Sequence, residues 1–293
     1  MDRPPSPVVQ RKQLANGLRR LRLAAGLTLE EAAVAIEASS ATLSRIETGV
    51  RIPRARDVRD LCALYQVADA ERIAELTALA GAARESGWWE SYTEVDDDYA
   101  TYIGLEASAG SMQQFEGQYI PAILQTTAYA RAYFTGVASP SRAKPFTEHD
   151  ISKRIEVRER RQDLLNPSSG LAYSVVLDES ILLRVMGSPK IMSDQLKALL
   201  DRADQPNINL RIVLLSAGAH PGQQGGFTIL DLPRDVSDVV YVDTLAGQLF
   251  LETPEELERH RRIFHSLDQI ALGQAESKEA LVRIMAGLGT ARA

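Results

Sequence analysis

The densest set of side chains able to recognise another molecule lies early in the chain, at Ser39-Ser40-Ala41-Thr42-Leu43-Ser44-Arg45. Short hydroxyls and one forked guanidinium are the chemistry of base-edge reading. An arginine can give two hydrogen bonds to guanine O6 and N7, and serine or threonine can donate or accept at either kind of base. Elsewhere the chemistry is thinner. Gly218-Ala-His220-Pro-Gly222-Gln223-Gln-Gly225-Gly226 is glycine-rich but lacks the Gly-Lys-Ser/Thr ending of a P-loop. It reads either as a hairpin between two strands or as a ligand loop with His220 and Gln223 as contacts, and the hairpin is the plainer reading. Asp178, Glu179 and Asp243 fall at strand ends, where carboxylates can act as acid and base, yet no nucleophile is legible beside them. The four histidines include no pair at helical ligand spacing, so no metal and no cofactor is expected. Arg158, Arg160 and Arg161 could meet an anion or an acidic partner, but Glu156, Glu159 and Asp163 are interleaved with them, which favours a solvated ion-pair face. Asp96-Asp97-Asp98 reads as a loop or helix start rather than a cation site, because consecutive acids point in different directions.

Helices must position the first of these groups. Leu14, Leu18, Leu21 and Ala25 form one helical stripe that stops at Gly26. Thr28-Leu29-Glu30-Glu31 is a capping box that starts a second helix, and Ser39 caps a third whose inward face is Leu43 and Ile46, ended by Gly49. A fourth helix follows from Arg54 to Tyr65 and a fifth from about Ala70 to Ala83. Two short helices joined by a tight turn, the second carrying polar side chains away from the core, are the layout of a helix-turn-helix. The free amides at the starts of the second and third helices suit phosphate oxygens.

Charge divides along the same line. The whole chain carries −6, which argues against a surface that coats nucleic acid. The first 66 residues hold 11 Lys+Arg against 7 Asp+Glu, and the remainder 22 against 32. Gln10 to Ala25 contains Arg11, Lys12, Arg19, Arg20 and Arg22 with no acid, so an anionic partner is expected to meet this end. The one cysteine, Cys62, sits among Val58, Leu61 and Leu64 and reads as a small buried apolar residue. Neither a signal peptide nor a membrane span is legible, which gives the expectation of a cytoplasmic, nucleoid-associated protein.

The run from Leu18 to Val67, above all Gly26-Leu27-Thr28, Ser39 and Leu43-Ser44-Arg45-Ile46-Glu47-Thr48-Gly49, resembles the Xre-type (Cro and phage repressor-like) helix-turn-helix regulators. The resemblance implies that Ser40, Ala41, Ser44 and Arg45 read bases, with Ser39, Thr42 and Thr28 nearer the phosphates. With Arg51 in the following loop, these are the residues expected to meet double-stranded DNA. Two departures stand out. Leu29 occupies the place of a common phosphate-contacting Gln, and Glu37 the place of a turn Gly. If that position needs a positive φ, Glu37 carries strain of about 1 kcal/mol.

From Trp88 onward the pattern turns to mixed helix and strand. Trp88-Trp89-Glu90-Ser91-Tyr92 reads either as a binding surface or, by preference, as packing between head and body. Thr126 and Thr147 cap helices, the second running through Arg158 to Leu165. Strands are expected at 171–177, 209–215, 226–232, 239–244 and 248–251, after an extended segment from Met112. Further helices are expected at 179–186, 193–202, 253–271 and 277–288. Strand order is open. The expected fold is an all-α five-helix helix-turn-helix domain over residues 1–84, followed by an α+β domain with a small mixed sheet over 85–293. Trp88-Trp89, Ile123-Leu124-Gln125-Thr126, Arg158-Glu-Arg-Arg-Gln162 and Gly225-Gly226-Phe227 look like the uncharacterised C-terminal domain of actinobacterial WhiJ-like, antitoxin-like regulators. That resemblance implies a regulator whose body takes a ligand or a small partner protein; no enzymatic activity is expected, and because a single module buries too little surface for tight binding, a homodimer on an inverted repeat is expected. Its weaker contact candidates are His220, Gln223, Arg158 and Arg161. The alternatives are an enzyme or an antitoxin-like scaffold that uses the head for targeting or autoregulation.

Overall fold

The structure, a computed structural model, describes residues 4–138 and 144–290. Five helices make the head: α1 (Pro7–Ala24), α2 (Leu29–Ala35), α3 (Ser40–Glu47), α4 (Ala55–Leu64) and α5 (Ala70–Ala82). Their apolar stripes meet in one core. Leu18, Leu43, Leu61 and Leu76 are fully buried in it, each worth about 1.5–3 kcal/mol of burial. Cys62 lies in the same core, as its apolar neighbours imply, and burial raises its thiol pKa. The helix α1 begins earlier than its leucine stripe suggests. Ser6 caps it, with Pro7 at the first helical position.

The body is built on a six-stranded sheet of β1 (Ser111–Glu116), β2 (Ala172–Asp178), β3 (Ile208–Val213), β4 (Phe227–Asp231), β5 (Val239–Thr244) and β6 (Gly247–Leu251). Its order is β3-β2-β1-β4-β5-β6. β1, β2 and β3 are parallel, and helices carry the chain between them, as parallel pairs require. They are α7 (Thr127–Tyr133) and α8 (Glu148–Arg161), then α9 (Glu179–Leu183) and α10 (Pro189–Ala203). The remaining pairs are antiparallel. Both faces are covered, which is why the strands read as near-continuous apolar runs. On one face Met112, Tyr173, Val175 and Leu210 pack with α6 (Asp97–Glu106), α10 and α12 (Gln274–Thr290). On the other, Phe115, Val176 and Ile229 meet Phe264 and Leu267 of α11 (Pro254–Ile270).

Two expectations are overturned here. The glycine-rich segment 218–226 is no hairpin, because β3 and β4 are not neighbours. It crosses the carboxyl ends of β2 and β1, where His220 meets the ring of Phe115 at 5.8 Å. Arg158 and Arg161 are not on a solvated face; they are 8% and 3% exposed. Arg161 grips Glu106 with two bonds of 2.7 Å, so α8 is tied to α6 through the interior.

Head and body share α1. The Ser6 hydroxyl donates to the Gly104 carbonyl at 2.6 Å, and the Ser6 amide donates to Ser108 Oγ at 2.8 Å. Val8 lies against Gly104 so closely that a Cβ there would stand 2.4 Å from Val8 Cγ2. Trp89 and Tyr92 pack with Val8, Ile103 and Val157, in keeping with the packing role read for that cluster. Asp96 caps α6, so the acidic triplet is a helix start.

Candidate nucleic-acid interface

The third helix, α3, is held by a buried ion pair. Arg22, near the end of α1, gives bonds of 2.7 and 2.9 Å to the Glu47 carboxylate at the end of α3. Its third bond, 2.7 Å, goes to the Leu27 carbonyl in the turn before α2. One guanidinium therefore joins α1, the α1–α2 turn and α3, and Glu47 holds its pKa above the usual arginine range. The turns comply: Gly26 and Gly49 take φ of 71° and 76°, and Glu37 takes 54°, the left-handed conformation that glycine adopts without strain.

On α3, Leu43 and Ile46 face the core, while Ala41 and Arg45 are exposed and Ser40, Thr42 and Ser44 half-buried. The hydroxyls divide by role. Ser39 accepts from the Thr42 amide at 3.1 Å and pairs with the Thr42 hydroxyl at 3.0 Å, so both serve the cap. Ser40, Ser44 and Arg45 have no side-chain partner among the described residues and keep their bonding capacity for another molecule. Thr28 is committed to its capping box with Glu31, whose pKa the Thr28 bonds lower. Glu30 and Glu31 stand exposed at the start of α2, which makes that helix end a poor phosphate seat.

The acid-free first helix is not the open cationic face that its composition suggests. Arg22 is in the buried pair, Lys12 meets Glu252 at 2.5 Å, Arg20 meets Asp235 at 2.8 Å, and Arg11 bonds the Ala83 carbonyl at 2.8 Å. Of the head's exposed arginines without an acid partner among the described residues, Arg45, Arg51, Arg54 and Arg59 lie on α3, on α4 and in the loop between them, while Arg19 lies on α1 and Arg84 donates to the Ile52 carbonyl. Arg54 and Arg59 escaped the sequence reading because they precede or interrupt an amphipathic helix and look like ordinary surface charge. Arg59 has no acid at ion-pair spacing, unlike Arg56, which pairs with Asp60; Arg54 has Asp57 three residues on, but that carboxylate serves the cap of α4 by accepting from the Arg54 amide.

The candidates in the body are dispersed. His220 Nε2 lies 3.2 Å from Asp178 Oδ2, both nearly enclosed, while Glu179 turns away to accept from the Leu215 amide. Asp243 is on the opposite face of the sheet. Gln223 is exposed. No group of three His, Cys, Asp or Glu among the described residues could hold a metal ion, and no described helix is long and apolar enough to cross a membrane.

Residues 13–76 match a family described as a helix-turn-helix domain. Residues 99–283 match the family described as a domain of unknown function, DUF5753. No curated protein and no solved structure matches the chain. The second match covers more than half of the sequence, and the chain therefore belongs to the DUF5753 family, with a helix-turn-helix domain preceding that domain.

Proposed function

We propose that the protein is a sequence-specific transcriptional regulator of the Xre type with a WhiJ-like body, binding an inverted repeat as a homodimer. The observation that carries the reading is the third helix of the helix-turn-helix, which presents Ser40, Ser44 and Arg45 with no competing partner among the described residues, flanked by free arginines. A single module of this size buries too little surface for tight specific binding, so two copies act on half-sites about one or more helical turns apart. Arg45 reads a guanine, Ser40 and Ser44 read neighbouring edges beside Ala41, and Arg51, Arg54 and Arg59 neutralise phosphates.

The body acts by binding a small ligand or a small partner protein. The His220–Asp178 pair supports this over catalysis: it fastens the 218–226 crossing to the end of β2, and no nucleophile adjoins it among the described residues. Operator selection from a random pool, followed by affinity measurement, tests the reading. Arg45→Ala is expected to cost about 1–3 kcal/mol and to relax specificity at one base pair per half-site. An unchanged footprint and affinity would remove α3 as the reader. Co-purification from the native host separates a metabolite from a stoichiometric small polypeptide.

A further inference from the structure

The body carries a polar recess that the DNA-binding reading leaves unused. Continuing the registers of β1 with β4 and β4 with β5 places Glu116, Gly226 and Asp243 in one row across three strands. Directly opposed residues of antiparallel strands project from the same face, so two carboxylates flank a position without a side chain. That position needs glycine. A Cβ on Gly226 would stand 2.8 Å from Glu116 Oε2, because the Glu116 carboxylate leans into the gap, with Gln114 donating to its other oxygen at 3.4 Å. Neither Glu116 nor Asp243 has a cation at ion-pair distance among the described residues.

Aromatic rings and one guanidinium form the facing wall. The Tyr119 ring lies 5.0 Å from that of Tyr133. Arg158, 8% exposed, is stacked 4.2 Å from the centroid of Phe134 and 5.0 Å from that of Tyr133. It donates to Gln125 Oε1 but has no carboxylate at ion-pair distance among the described residues. Burial accordingly lowers its pKa. Burial, together with the nearby Asp96, raises the Asp243 pKa, and Arg158, which does not touch it, opposes that rise. The recess thus brings two acids and a guanidinium together without an ion pair between them, separated by tyrosines, and Glu116, Tyr119, Tyr133 and Asp243 open it to water.

Topology marks the same place. From β1 the chain steps to β2 and β3 on one side, then returns to place β4 on the other. The recess lies where the carboxyl end of β1 meets the amino end of the antiparallel β4.

We propose that this recess binds a small zwitterionic amine of the α-amino-acid class, its ammonium between Glu116 and Asp243, its carboxylate on Arg158, and its carbon chain against Tyr119 and Tyr133. A simple cation would leave Arg158 unmatched, and a simple anion would leave Glu116 and Asp243 without a cation. The proposal rests on the reading of the body as a ligand-binding part and is independent of whether the head binds DNA. Burial, with the facing Asp243, pushes Glu116 up to about 8, so an arriving ammonium ionises it and releases a proton at neutral pH.

Titration calorimetry on the full-length protein, with a panel of α-amino acids, the matching amines lacking the carboxylate and the matching acids lacking the amine, tests this. At least one amino acid is expected to bind, with its amine and acid counterparts weaker by about tenfold or more. Glu116→Gln with Asp243→Asn, and separately Arg158→Gln, should each weaken it by about tenfold or more. The heat should vary with buffer ionisation enthalpy in the native protein and lose that dependence in Glu116→Gln. Asp243→Asn alone, at an exposed position, keeps the test decisive if the Arg158 variant fails to fold. Absence of binding by every amino acid, equal binding of the bare amine, or undiminished affinity in the Asp243 variant would overturn the proposal. Operator affinity measured without ligand on the same samples reports separately on the DNA-binding reading.

Discussion

Glu37 sits at φ 54° in the turn between α2 and α3, where a Cβ is disfavoured. Glu37→Gly is expected to stabilise the fold by about 1 kcal/mol, raising the urea midpoint at unchanged slope. It also removes a negative charge from the DNA-facing turn and should tighten binding. Glu116 gives a second residue-scale outcome. Its pKa rises from 4.5 to about 8 on folding, so the folded chain holds the extra proton between those values and loses stability as pH climbs through them. Glu116→Gln should flatten the stability profile across that window, where the native slope from this group is at most about 1.4 kcal/mol per pH unit. The Glu37 turn was legible because it is local. The burial of Arg22, Arg158 and Arg161 was not, because each arginine has its main partner on an element 25 to 55 residues away. An arginine flanked by acids on a helix looks the same whether it meets water or a distant carboxylate.

At the scale of elements, the Arg22–Glu47 pair ties α3 to α1. Arg22→Ala strands a buried carboxylate and should cost about 3–5 kcal/mol in chemical denaturation. The double change Arg22→Met with Glu47→Leu should cost much less, because it leaves no orphan charge. Operator affinity should fall in both, since α3 loses its tether to α1. Helix starts were the most legible feature of the fold. Thr28, Ser39, Thr126, Thr147 and Thr253 all cap the helices their hydroxyls announce. Ser6-Pro7 and Ser188-Pro189 carry the same signal and were passed over, so α1 and α10 begin earlier than their apolar stripes imply. The sheet order was beyond local pattern. The segments now known as β3 and β4 follow one another with glycines between, which is also how a hairpin reads, and only long-range pairing separates them. The Glu116–Gly226–Asp243 row depends on that pairing and is invisible along the chain.

Across the whole molecule, charge is distributed by contact rather than by segment. The head's excess of cations is partly spent on the body, through Lys12 with Glu252 and Arg20 with Asp235. An open recess of about 450 Å³ lies beside the second pair, between α1 and the β4–β5 turn. Asp235→Asn with Glu252→Gln should therefore raise non-specific DNA affinity more than operator affinity, and steepen its salt dependence, as measured by titration at several ionic strengths. The same junction contains Gly104, whose missing side chain lets α1 and α6 approach. A methyl group there acts as a wedge one carbon thick, driven between the reader and the part that would instruct it. Gly104→Ala would leave the helix-turn-helix core and the sheet untouched while weakening the mechanical link between them, so that the two halves should unfold in separate steps on heating.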